Sequence, residues 1–277
     1  MARGAEDSGF RPDIATITLS VLVPATYTIS PVSPFVQTAP IMSLIPSWIP
    51  GHVFFVLLVG ACLIAAGLSI ATRIQSALAA SLTALMFVCF EALMIIPGAV
   101  ADPRDRFGWT IVLREFTFCA GALAIAAARA STWSERTKEA ARTFVRLELG
   151  IALLFFAAQQ FLHPAHVPGI PLELVTPTWI PGHLIWTFLT GVVYLPAGLC
   201  LLANRQARPA ALSAGGMLLG LMIAVYLPML ISKPLDMRAI DYFFDTLLFS
   251  GSVLAVAGIQ RQAAATRQLR KTITTAA

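Results

Sequence analysis

Glu91, Arg114, Glu115, Asp241 and Asp245 stand inside stretches of sequence that are otherwise apolar. Ionisable groups are costly in such surroundings and persist where they pair with one another or act on a ligand or a proton. Two chemistries fit this set. As buried ion pairs, Arg114 with Glu91 or with Asp245, they would hold helices in register. As a polar pocket, four acids against a single arginine, they could bind a polar ligand and pass protons. The excess of acid is harder to explain as structure alone.

The four histidines form a second candidate set. His52 and His183 each close the same kind of turn, Pro46-Ser47-Trp48-Ile49-Pro50-Gly51-His52 and Pro177-Thr178-Trp179-Ile180-Pro181-Gly182-His183. Proline suits the first helical position, which makes each turn the start of a helix. A helix N-terminus attracts anions and carbonyl oxygens, so the pair could ligate a metal, a quinone carbonyl or a small oxyanion. The plainer reading is an entry turn, with Trp48 and Trp179 in an interfacial aromatic belt and histidine capping the helix. His163, His166 and Glu173 precede His183 at irregular spacing, and a solvated loop is their plainer reading; no metal centre is expected. Cys62, Cys89, Cys119 and Cys200 each stand alone in apolar sequence and read as small hydrophobes.

The elements that must position these residues are membrane helices. Of 277 residues, 57% are hydrophobic and 12% charged, about half the charge of a soluble domain. The mean hydropathy is +0.79. A soluble globular domain, a disordered chain and a disulfide scaffold are thereby excluded. Runs long enough to span a bilayer lie near 14–34, 51–72, 76–99, 107–128, 143–162, 182–203, 208–231 and 239–259. Eight spans are expected, the first interrupted by Pro24, Pro31 and Pro34. Of the 19 Lys and Arg residues, only Arg104, Arg106, Lys233 and Arg238 fall in loops on one side, with Arg114 inside a span. The rest fall on the other side, which the positive-inside rule makes cytoplasmic, with both termini. The basic C-terminal tail, Arg261 to Lys271, suits anionic headgroups; no nucleic-acid role is expected. On this reading Glu91 and Arg114 lie on the order of 10 Å deep in the outer half of a cell (inner) membrane. Gln159, Gln160 and Tyr226 belong to the same half.

The chain repeats itself at an offset of 131. From 46 to 68, 11 of 23 positions are identical to those 131 residues later, and Pro97 pairs with Pro228 and Phe118 with Phe249. The expected organisation is a first four-helix repeat at 14–129, a basic cytoplasmic linker at 130–142 and a second repeat at 143–260. An even number of spans per repeat makes the two parallel, and the offset places Asp245 level with Arg114. The proline-rich stretches 31–50 and 164–181 cannot be regular helix and are expected to fold back as caps or short interfacial helices.

Several of these residues carry a family likeness. Gln160-Phe161-Leu162-His163-Pro164, the two Trp-Ile-Pro-Gly-His turns, and Asp102-Pro103-Arg104-Asp105-Arg106-Phe107 ahead of Arg114-Glu115 resemble the DoxX-like family of four-span membrane proteins, once per half. The resemblance implies an integral membrane component associated with redox or quinone-linked complexes, among them thiosulfate:quinone oxidoreductase. Quinone is then the cofactor to look for, and an extracytoplasmic redox protein the partner beyond the bilayer itself. The first half lacks a counterpart of His163 around Tyr27–Phe35, so the second half would carry the site. No haem-attachment, dinucleotide or cluster motif is present. The alternative from the residues alone is a non-enzymatic small-molecule transporter or assembly component.

Overall fold

The computed structural model describes residues 52–276, with the backbone only for 52, 53, 55–57, 237 and 261–276. The expected first span at 14–34 and the first proline-rich stretch lie outside the described residues. The described chain is all helical, in the order α1 (His52–Thr72), α2 (Ser76–Phe90), a π-helical turn (Glu91–Ile95), α3 (Ile96–Ala101), α4 (Arg106–Arg129) and α5 (Glu135–Leu162). There follow α6 (His183–Leu202), α7 (Ala207–Leu221), a second π-helical turn (Met222–Tyr226), α8 (Leu227–Ser232) and α9 (Met237–Ala276). Six helices are long and apolar enough to cross a membrane: Ser76–Ala101, Arg106–Arg129, Glu135–Leu162, His183–Leu202, Ala207–Ser232 and Arg238–Gln260. The chain is a multi-pass membrane protein. Leu78, Leu82 and Leu85 on α2, and Ile185, Val192 and Leu199 on α6, are exposed on the bundle surface, where lipid tails match them.

Helix boundaries follow local chemistry. The Asp105 carboxylate accepts from the backbone N–H groups of Phe107 and Gly108, both at 2.9 Å, and caps α4. Ser134 caps α5 by accepting from Thr137 N–H at 3.1 Å. Helix therefore begins at Glu135, and most of the basic 130–142 stretch forms the first turns of α5. Arg146, further along α5, donates to the carbonyls of Leu201 and Leu202 at the end of α6, which satisfies groups a helix terminus leaves open. Arg73, Gln75, Asn204 and Gln206 adopt positive φ in the short turns after α1 and α6.

The two π-helical turns have a common cause. Pro97 and Pro228 lack an N–H and would clash with the carbonyl a turn earlier. The helix widens instead, and the N–H of Ile96 reaches Glu91 O, as that of Leu227 reaches Met222 O.

At the centre α4 packs against α9, with α2 on α4, α7 on α9, and α5 against both central helices and α6. A chain of aromatic rings ties them: Phe87 to Phe118 at 5.7 Å, Phe118 to Phe249 at 6.3 Å, and Phe249 to Phe156 at 5.6 Å between centroids. The 163–182 segment covers the end of the bundle where α5 ends and α6 begins, here the cap end. Val167, Ile170, Leu172 and Ile180 are buried in it, and His166 and Val175 form an isolated antiparallel bridge. The second proline-rich stretch folds back over the bundle as expected, with His163 and Glu173 exposed on it and His166 partly buried.

Candidate functional site

Arg114 sits eight residues into α4, about 12 Å from its first turn. Its guanidinium donates to Asp245 on α9 and, at 2.7 Å, to Glu115, while its carbon lies 5.8 Å from the centre of the Phe118 ring. Side-chain exposures of 16% for Arg114, 17% for Asp245 and 12% for Glu115 mark a partly dry network. Of the two pairings open to Arg114, the structure has Asp245 and not Glu91. Asp241, one turn nearer the start of α9, is exposed, and it acts electrostatically on Arg114 from the outer edge of the network. Four residues from the helix start it is only about 6 Å deep, shallow enough to meet water.

Glu91 begins the first π-helical turn and is 1% exposed, with neither carboxylate oxygen bonded. It is within electrostatic reach of Glu115 and Arg114. One acid absent from the sequence reading joins it. Glu148 on α5 is buried against α4, where Thr117 Oγ1 lies 3.0 Å from its Oε1 and its Oε2 is unbonded. Polar groups thus continue past Arg114 toward the middle of the bundle.

The cap is held by hydrogen bonds from both halves of the chain. Tyr226 in the second π-helical turn donates to Pro168 O at 2.6 Å, and Leu174 N–H donates to the Tyr242 hydroxyl at 3.2 Å. Arg106, the first residue of α4, donates to Pro171 O at 2.6 Å and approaches His166 Nε2 at 3.4 Å. His166 Nδ1 lies 3.2 Å from Glu173 O. Arginine can only donate, so Nε2 accepts and the proton sits on Nδ1, which makes His166 neutral. Burial, and then the Arg106 charge, lower its pKa from the ordinary 6.5.

Two predictions arise here. Tyr226→Phe leaves Pro168 O without its donor in a buried site, which costs about 1–3 kcal/mol, and thermal unfolding in detergent measures the loss. For His166, a folded pKa below the unfolded one means the unfolded chain takes up the proton first. The cap's stability is then intact above about pH 6.5 and is lost as pH falls toward the depressed value. Hydrogen–deuterium exchange of 163–182, corrected for intrinsic rate, should speed up on acidification, and His166→Gln should remove that pH dependence.

The core-facing column of α5 ends at the cap in an unsatisfied amide. Leu149, Leu153, Phe156 and Gln160 are all 0% exposed, and neither Oε1 nor Nε2 of Gln160 has a partner. Tyr194 on the adjoining α6 is equally buried, and its hydroxyl is also unbonded. A Cβ on Gly169, which has φ +96°, would stand 3.2 Å from Leu221 and 3.9 Å from the Tyr194 hydroxyl, so the cap's tip reaches down to this tyrosine. Gln159 Oε1 is unbonded too.

Comparison with protein-family models, curated proteins and solved structures finds no match. Function must be argued from the site.

The histidines divide. His163 and His166 come together, ring centroids 6.0 Å apart. His183 is the first residue of α6, whose N-cap is Gly182 at φ +67° with no side-chain cap bond. Pro181 therefore lies outside the helix and not at its first position, and histidine does not cap it. His183 makes no side-chain hydrogen bond among the described residues, and the side chain of His52 lies outside them. No group of three metal-ligating side chains occurs among the described residues. Cys62 and Cys89 are exposed, Cys119 is buried and Cys200 is partly buried, all free thiols.

Proposed function

We propose that this chain is a DoxX-like integral membrane protein of eight spans in two parallel four-helix repeats, and that it acts as a quinone-linked, redox-associated subunit of a cell (inner) membrane, with both termini cytoplasmic. The duplication is supported by the matched placement of special features: the π-helical turns begin at Glu91 and Met222, and positive φ occurs at Arg73 and Gln75 and again at Asn204 and Gln206. Both sets share the offset of 131 that separates the bonded pair Arg114 and Asp245. The cap end is the outer face on this reading.

The observation that carries the ligand is Gln160. A buried amide with no partner is rare and marks a missing ligand or water. Gln160 Nε2 can donate to a carbonyl oxygen, and the unbonded Tyr194 hydroxyl offers a second donor. A quinone head group presents two carbonyl acceptors on an apolar ring and a lipid-soluble tail, which fits two donors set among Leu, Phe and Tyr side chains. Quinone would supply the two-electron acceptor chemistry; Gln160 and Tyr194 would orient its head, and the cap would exclude water. Electrons would come from an extracytoplasmic partner, since the chain has no redox motif of its own. His163 and His183 flank the cap's two ends, where they would serve entry and not ligation.

The test is native mass spectrometry of the full chain extracted in mild detergent. Stoichiometric quinone is expected, with its occupancy falling at least tenfold in Gln160→Ala, as loss of one good donor to a buried carbonyl implies. A quinone-free, folded preparation that takes up no added short-chain quinone would overturn the reading. A second reading, small-molecule transport, is favoured by one observation: Ser76–Ala101 and Ala207–Ser232 are each interrupted by a π-helical turn and a proline, suited to hinging. Flux in liposomes that Pro97→Ala and Pro228→Ala leave unchanged would count against hinged transport.

A further inference from the structure

Beyond the ligand site under the cap, the described bundle holds a second set of unsatisfied polar groups, and it lies deeper. Thr117 is 11 residues into α4, about 16 Å from its start, close to halfway through a hydrocarbon core of about 30 Å. Its hydroxyl carries one proton but faces two acceptors, Leu113 O at 2.9 Å and Glu148 Oε1 at 3.0 Å. One proton cannot serve both. Glu148 Oε2 has no partner at all.

Glu91 points into the same seam. The buried positions of α2 and the π-helical turn that continues it, Ala80, Ala84, Phe87 and Glu91, recur at steps of four and three and form the face that packs on α4. Along it Cys119 Sγ lies 3.5 Å from Ala84 O, and the Phe87 ring meets Phe118. Glu91 continues this face by one turn, acts electrostatically on Glu148, and has both oxygens buried and unbonded. The other charged or titratable groups acting on the two acids are Arg114, Glu115 and Cys119, all on α4. Arg114 is already engaged by Asp245 and Glu115.

We propose that Glu91 and Glu148 form a binding site for an exchangeable monovalent cation, a proton or a sodium ion, near the middle of the membrane. Buried carboxyl oxygens require a donor or a cation. A proton on Glu148 Oε1 would donate to Thr117 Oγ1 and free the threonine proton for Leu113 O, which settles the count of donors; a sodium ion at Oε1 and Oγ1 does the same. Glu91 supplies the second carboxyl. Arg114, bonded to Asp245, and the exposed Asp241 lie between this site and the cap end.

The experiment is infrared difference spectroscopy of the full-length protein in lipid nanodiscs, between acidic and alkaline buffers, with and without sodium. A protonated-carboxyl C=O band is expected, losing about half its amplitude in Glu91→Gln and about half in Glu148→Gln, since each removes one of two equal contributors. Thr117→Val, which keeps both acids, should shift the band without removing it. Loss of the band on adding sodium at constant pH assigns a sodium site in competition with protons; no response to sodium assigns a proton site. A titrating band that neither glutamine variant reduces, or the absence of any such band, overturns the proposal. Quinone binding by Gln160 is read separately and can fail without affecting this result.

Discussion

Replacing Arg114 with alanine should destabilise the protein by about 3–5 kcal/mol, the cost of leaving a largely desolvated charge without its partner. Arg114 engages Asp245 on another helix and Glu115 on its own, and removing it strands two acids, of which Glu115 also acts on Glu91. Asp245→Asn alone removes one charge and should cost less. In the double variant Arg114→Ala with Asp245→Asn, fewer buried charges remain than in Arg114→Ala. The double variant should therefore recover part of the loss, and the pair should be non-additive by more than about 0.5 kcal/mol. Equilibrium unfolding in mixed detergent measures all four proteins of the cycle. Strict additivity would mean that the bond between α4 and α9 contributes nothing, and the network would then have to be read as a ligand site held open at the expense of stability.

The membrane class and the helix positions were legible in the sequence because apolar length and proline placement are local properties. Each of the six long helices lies within a few residues of an expected span, apart from α5, which starts earlier because Ser134 caps it. The choice of Asp245 over Glu91 as the partner of Arg114 needed the structure, but the common level of Asp245 and Arg114 followed from the offset alone. Glu148 did not, although Ala141, Val145, Glu148 and Ala152 keep the four-three spacing of a buried face. It falls within the expected span 143–162, but that position alone does not show which face of α5 is covered. Asp241 lies within the same expected span as Asp245, but which turns of α9 are covered depends on the helices around it, and Asp241 is left at the exposed edge of the network. The cap was legible as a proline-rich stretch that folds back, but not in how it is held. Its tethers to Arg106, Tyr226 and Tyr242 span many residues, and no local pattern announces them. Likewise, the unbonded amide of Gln160 is visible only once all its neighbours are placed.

The largest steric effect is expected at Gly121. A Cβ there would stand 2.5 Å from Ser252 Cβ and 2.6 Å from Ser252 Cα, so alanine cannot be accommodated by turning a side chain; α4 and α9 must separate. Such overpacking costs about 1–3 kcal/mol, and the upper end applies where backbone has to move. The displacement would also reach Arg114 and Asp245, two turns along the same contact, with Phe118 and Phe249 between them. Each of these three contacts joins a residue to the one 131 positions later. Positions related by a two-fold axis touch each other only at that axis, so a parallel duplication puts the axis along the seam of α4 and α9. This makes a demand that ordinary close packing does not. Exchanging the two residues, Gly121→Ser together with Ser252→Gly, should pack as the native pair does and restore most of the stability lost in Gly121→Ser. Thermal unfolding of the single and exchanged variants decides it. An exchanged variant no more stable than Gly121→Ser would remove the axis from this seam, and with it the strongest structural support for two equivalent repeats.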